Sequence, residues 1–223
     1  VEAMQDEGVA STAKHFIGDG GTLRGDDRGD TSMSLEDLVA IHGQGYVEAI
    51  DKDVMSVMSS FNSWYGEKIH GSKAILTDLL RDDMGFDGMV VSDWNGIGEV
   101  LGCTNDNCAQ AINAGVDMVM APGNWKPLYY NMLDQVATGE ISMARINEAV
   151  ERILVMKMRA GLFTRGLPSE FADDFSDQIG HPDHRAIARE AVRKSQVLLK
   201  NQGGVLPASP SERFIIAGPG ADN

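Results

Sequence analysis

Four times along this chain a short apolar run is followed by a stretch whose apolar residues recur at helical spacing. The apolar runs cover residues 9–17, 54–61, 89–91 and 116–120. Helical periodicity follows each of them. After the first, Ser34 reads as an N-cap, with Leu35, Leu38, Val39, Ile41 and Val47 on one face as far as Ile50. After the second, Ser72 caps a run through Ile75, Leu76, Leu79 and Leu80 that stops at Gly85. Residues 107–114 follow the third, and residues 125–138 and 142–160 follow the fourth. Strands alternating with helices argue for a parallel sheet, because a parallel pair needs a long crossover and a helix supplies one. The expected class is therefore α/β. Four units of roughly 40 residues make half of a TIM-like (β/α)8 barrel.

Residues 162–180 change character. They contain Gly166, Pro168 and Asp173-Asp174 with no sustained period, and read as a linker. Residues 184–200 then predict a helix with Ile187, Ala191, Val192, Ser195 and Leu198 on one side, and residues 213–220 a strand opening a further α/β unit. Val1 is not a start methionine, and the last residues read as a strand entering a turn. Both ends look cut, so the expectation is a piece of a longer protein.

Lys and Arg total 19 against 33 Asp and Glu, a net charge of −14. That disfavours nucleic acid as a partner, since phosphate binding needs clustered cations. No apolar run reaches 18 residues, so no membrane-spanning helix is expected. The two cysteines, Cys103 and Cys108, cannot close a zinc site by themselves, and no metal site is expected. They fit either a local disulfide in an oxidising compartment or two unpaired loop residues.

Polar residues at the C-terminal ends of parallel strands are where such folds keep their chemistry. Here those ends carry Lys14-His15, Ser59-Ser60-Phe61-Asn62, Ser92-Asp93-Trp94 and Ala121-Pro122. Asp93 follows three apolar residues and precedes an indole. A carboxylate there serves as nucleophile, base or metal ligand, and Trp94 offers a platform for a flat ligand face such as a pyranose ring. The same pattern fits an Asp that caps the next helix. Lys14 and His15 suit binding of hydroxyls or an anion, but neighbours in a strand face opposite ways. They share a pocket only if the strand ends or twists there; otherwise they are a surface lysine and a core histidine. Gly18-Asp19-Gly20-Gly21-Thr22 lacks both common nucleotide-binding spacings. It reads as a tight turn, with a phosphate cradle as the alternative. On residues 145–159, Glu148 and Glu151 lie near Arg152 and read as surface pairs.

Three stretches in combination resemble glycoside hydrolase family 3. They are Ala13-Lys14-His15-Phe16-Ile17-Gly18-Asp19-Gly20-Gly21-Thr22, Val90-Val91-Ser92-Asp93-Trp94-Asn95-Gly96-Ile97, and residues 185–201 ending Ser195-Gln196-Val197-Leu198-Leu199-Lys200-Asn201. Ala114-Gly115-Val116-Asp117-Met118-Val119-Met120 also fits. The likeness is strongest to exo-acting β-glucosidases and 1,3/1,4-β-glucan exohydrolases, and it covers essentially the whole chain.

The resemblance implies that residues 1–163 are the C-terminal half of the catalytic barrel. Residues 164–180 would be a linker, and residues 181–223 the start of an α/β sandwich domain. It implies a retaining glycosidase acting on a β-glucoside or β-glucan oligosaccharide, with Asp93 as nucleophile and no cofactor. Lys14 and His15 would hold hydroxyls of the terminal sugar, Trp94 would clamp the next sugar, and Met58 and Phe61 would line the pocket. The family's acid/base Glu would lie beyond Asn223 and other sugar-binding residues before Val1, so the 223 residues alone are expected to be inactive. Glu99 stands where plant exohydrolases carry an Arg. A disulfide between Cys103 and Cys108 would shape the second sugar's subsite. Family habit and the cysteines point to a periplasmic or secreted protein. Besides an unrelated α/β barrel enzyme that binds phosphate at residues 18–22, two alternatives remain. One is a non-catalytic carbohydrate-binding relative. The other is the N-acetylglucosaminidase branch, whose Lys-His motif usually continues Phe-Pro-Gly-His-Gly, where this chain has Phe-Ile-Gly-Asp-Gly.

Overall fold

A computed structural model describes residues 1–171, 176–215, 217, 218 and 221. The chain divides into two units, Val1–Gly166 and Leu167–Asn223.

The first unit is built on three parallel strands in the order β1 (Thr12–Phe16), β2 (Ser56–Ser59) and β3 (Met89–Val91). Thr12 pairs with Ser56 and Ser56 with Met89, so the strands stack without offset at one end. The register of β1 shifts between Ala13 and Phe16, and the Lys14–His15 and Phe16–Ile17 peptides are cis. Helical segments Leu35–Leu38, Val39–Gly43 and Gln44–Asp51 cross from β1 to β2, and helix Ala74–Asp83 crosses from β2 to β3. Ser34 caps as expected, its hydroxyl accepting from the Asp37 N–H at 3.0 Å. Ser72 does not cap: its hydroxyl donates to Glu67 Oε2 instead. Phe16, Ile17, Leu38, Val57, Ile75, Leu76, Leu80, Val90, Ile97 and Val116 are buried between sheet and helices. Each large aliphatic chain so buried contributes roughly 1.5–3 kcal/mol.

The expected fourth strand is reduced to one parallel bridge between Val91 and Met118. The reason is a side chain. The Val90 N–H, which a neighbouring strand's carbonyl would accept, donates to the Asp117 carboxylate at 2.9 Å. Backbone contact is kept through the Asp117 N–H to Val90 C=O (2.9 Å) and the Ser92 N–H to Met118 C=O (2.9 Å). The parallel α/β architecture therefore holds, with the last unit tied by a carboxylate as much as by a ladder.

That carboxylate is fully buried and meets three guanidinium groups, Arg81 at 2.6 Å, Arg145 at 2.7 Å and Arg152 at 3.2 Å. Arg152 is thus not simply half of a surface pair, as its helical spacing suggests. Glu148 lies 3.8 Å from it, but its closer partner is Asp117. Helix Met143–Arg159, capped by Ser142, is bound to the sheet through this cluster. Burial pulls Arg81 down to about 10, with Asp117 opposing and the other two arginines adding to the shift.

In the second unit, helix Pro182–Ser195 ends five residues short of the expected Lys200. Residues 213–215, 217 and 218 form no strand, because no described neighbour offers them a ladder. The rest of the expected 213–220 strand lies outside the described residues, as do 172–175 of the expected linker. Among the described residues no helix is long and apolar enough to cross a membrane.

Removing the buried carboxylate would leave three guanidinium groups without their shared partner. Asp117→Asn is expected to cost about 3–5 kcal/mol, read as a lowered urea midpoint. Glu148→Gln removes only long, exposed contacts and should cost under about 1 kcal/mol.

Candidate active site

Because β1, β2 and β3 are parallel, their C-terminal ends meet at one edge of the sheet, and each delivers polar residues there. β3 ends in Ser92-Asp93-Trp94. Asp93 Oδ1 accepts the Trp94 N–H at 2.6 Å. Its Oδ2 lies 3.4 Å from His15 Nε2 at the end of β1. The Asp93 side chain is 15% exposed and that of His15 32%, so the pair opens to solvent on one side.

The Asp93 backbone is fixed from both ends. Its N–H donates to His70 Nε2 at 2.9 Å. Its carbonyl accepts from Ser92 Oγ at 2.9 Å, and the same hydroxyl accepts the Met120 N–H at 2.8 Å. His70 comes from the turn Ile69–Gly71 after the second strand end and is fully buried. Burial pushes it down to about 4, so it is neutral at ordinary pH; Lys68 adds to the fall, while Asp93, the Ser60 backbone and Glu99 oppose it. With Nε2 accepting, Nδ1 carries the proton.

Phe61 packs its ring 5.8 Å from that of His70 and 4.3 Å under the Arg28 guanidinium. Lys68 donates to the carbonyls of Phe61 and Arg28, both at 3.0 Å. Glu99 accepts from Arg28 at 2.8 Å and lies 3.6 Å from Lys68. Asn62 is buried and donates to Ile17 C=O, Thr31 Oγ1 and Ser63 C=O. These bonds hold the second strand end against the turn that follows β1.

Trp94 is 59% exposed and lines a cavity of about 420 Å³ with Met118, Met120 and Pro122. Met58 is half-buried on β2. Lys14 is exposed, and among the described residues its ammonium group makes no hydrogen bond or ion pair. Cys103 and Cys108 are joined as a disulfide, and Thr104 and Asn107 pair inside that loop. Gly18–Thr22 forms a tight turn: Gly18 has φ 91°, and a Cβ on Gly21 would run into His42. Among the described residues no group of three or more His, Cys, Asp or Glu is placed to hold a metal ion.

Of the residues singled out from sequence, the structure joins His15, Asp93 and Trp94 directly, and brings Phe61 to them through His70. Sequence reasoning gives no role to His70, Ser92 or Arg28. His70 sits 23 positions before Asp93 in a stretch with no periodicity, so only the fold reveals the contact. The Ser92 hydroxyl is visible in the motif, but its two partners are not. Chemically, the arrangement is a fixed, partly open carboxylate beside an imidazole and an exposed indole, a set able to attack or stabilise an electrophilic carbon on a ring that stacks.

The model described as "Glycosyl hydrolase family 3 N terminal domain" matches residues 1–156. The chain is 51% identical to an exo-1,3/1,4-β-glucanase (ExoP) of a Pseudoalteromonas species, with a TM-score of 0.84 over 95% of this chain and 27% of that one. It is 32% identical to a β-glucosidase of Rhizobium radiobacter over 99% of its own length and 25% of the relative's. It is 30% identical to a periplasmic β-glucosidase of Salmonella typhimurium over all of its length and 31% of that protein. The chain thus spans a quarter to a third of these relatives. With the family's domain matched over most of its residues and the parallel α/β fold in place, this chain belongs to glycosyl hydrolase family 3.

Proposed function

We propose that the protein of which these residues form part is a retaining, exo-acting β-glucosidase or β-glucan glucohydrolase, with Asp93 as its nucleophile. The observation that carries this reading is the held carboxylate of Asp93, backed by His15 and open beside Trp94. The names of the relatives support the substrate class.

In the first step, Asp93 Oδ2 attacks the anomeric carbon. The glycosidic C–O bond breaks, and the leaving oxygen takes a proton from a carboxylic acid placed outside this chain. In the second step, that group, now a carboxylate, takes a proton from water. The hydroxide attacks the same carbon and the bond to Asp93 breaks, restoring both carboxyl groups. The Trp94 N–H on Oδ1 keeps that oxygen occupied and leaves Oδ2 as the attacking atom. His15 and Lys14 hold hydroxyls of the terminal sugar, Met58 and Phe61 line its pocket, and Trp94 stacks on the next ring. Residues 1–163 form the C-terminal half of a (β/α)8 barrel, 164–180 a linker and 181–223 the start of an α/β sandwich. Two carboxyl groups suffice for the chemistry, so no cofactor is required. The disulfide and the periplasmic relative support a periplasmic or secreted location.

The full-length protein, treated with a 2-deoxy-2-fluoro-β-glucoside bearing a good leaving group, should carry the sugar on Asp93 when its peptides are weighed. A folded protein left unlabelled, or labelled elsewhere, would sink the assignment. Asp93→Asn should lower kcat by roughly 10⁴-fold or more, the scale of losing a covalent nucleophile. Exhaustive chelation should leave turnover of an aryl β-glucoside unchanged, and the isolated 223 residues should show none.

A further inference from the structure

We infer that His70 is a positioning residue for this reaction: its Nε2 holds the Asp93 backbone N–H and so sets where the carboxylate meets the anomeric carbon. The inference rests on the reading of Asp93 as nucleophile.

Asp93 lies two residues past the last residue of β3, where the ladder no longer supplies an acceptor for its N–H. A buried amide without a partner is costly, and a flexible partner would let the turn drift. His70 answers both needs. Phe61 packs against its ring and Gly96 lies close to it; a Cβ on Gly96 would overlap the ring. Gly71 is equally tight, against Val100 and Gln110. The role also demands an acceptor: lysine and arginine have none, and a protonated histidine would present only donors.

With the N–H fixed by His70 and the carbonyl by Ser92, Asp93 keeps only its side-chain torsions, and the Trp94 N–H and His15 restrain those. Displacing the amide moves the carboxylate as a rigid extension of the backbone. A misplacement of about 1 Å costs on the order of 10²-fold in rate. Of the groups assigned to sugar binding only Phe61 packs against His70, and a ring of similar size in its place keeps that contact.

The test uses the full-length protein and three readouts: the rate constant for labelling by the 2-fluoro glucoside at saturation, the affinity for glucose from titration calorimetry, and Tm. His70→Phe keeps the ring volume without the acceptor, and His70→Gln offers a carbonyl oxygen near the place of Nε2. Labelling by His70→Phe should slow by about 10²-fold while the affinity for glucose is unchanged, and His70→Gln should recover most of the rate. A His70→Phe protein labelled at the wild-type rate overturns the inference. So does loss of rate and of glucose affinity together in both variants, which is the mark of a merely structural histidine. If His70→Phe does not fold, Gly96→Ala reads the same contact from the other side. Its methyl would overlap Nε2, so the ring and the turn that carries the Asp93 amide must part, and wild-type labelling there overturns the inference as well. Failure of the wild-type protein to label at Asp93 removes the underlying reading. A wild-type label with an unaffected variant removes only the role of His70.

Discussion

The Asp117 carboxylate is the interaction on which the half-open sheet depends. It sits at the start of the fourth strand segment and takes the Val90 N–H, so it replaces part of the ladder. It also collects guanidinium groups from helix Ala74–Asp83 and helix Met143–Arg159. Those arginines reach further. Arg81 donates to the Gly88 carbonyl at 3.0 Å, and Arg145 to the carbonyls of Ile112 and Val116, both at 2.9 Å. A buried ion pair gains little over a well-packed apolar contact, but losing one member is severe. The cluster therefore fixes which helices lie against which strands more than it adds net stability.

This places the ionic cluster at the start of the fourth segment and the chemistry where β1 and β3 finish. Asp117 and its arginines hold the N-terminal end of the fourth segment; His15, Asp93 and Trp94 gather where the strands finish. The separation follows from parallel topology, which puts every βα loop at one edge. At that edge, backbone groups left over from the ladder are taken up by side chains: Asn62 for Ile17, Lys68 for Phe61, Ser92 and His70 for Asp93. Loops held in this way are rigid enough to carry a reacting group.

The alternation of apolar runs and helical stretches makes the α/β class legible, because period and length report directly on strand and helix. Ser34 is legible as a cap because capping is local. The interruption of the fourth strand is not, because it comes from a side chain whose partners lie 27 and 36 positions away. Asp93 and Trp94 stand out because they end an apolar run. His70 does not, because an isolated histidine in an aperiodic turn looks the same whether it faces solvent or the backbone of another strand. Arg152 misleads for a related reason: helical spacing offers it Glu148, while the fold offers it a buried carboxylate.

The charged residues around Phe61 show a further economy. Under the proposed chemistry the sugar ring becomes positively charged as the leaving group departs. Arg28 and Lys68 both approach this edge, and two free cations there would oppose that charge. Glu99 engages both, at 2.8 and 3.6 Å. Lys68, Glu99 and Asp93 all act on His70, so the set lies within electrostatic reach of the site. The pairing lets Arg28 cover the Phe61 ring and Lys68 tie two carbonyls while a shared carboxylate offsets part of their charge. Under this reading the group that faces the anomeric carbon is the carboxylate of Asp93, which accepts the Trp94 N–H and lies beside the His15 imidazole. That is the field a developing cation requires.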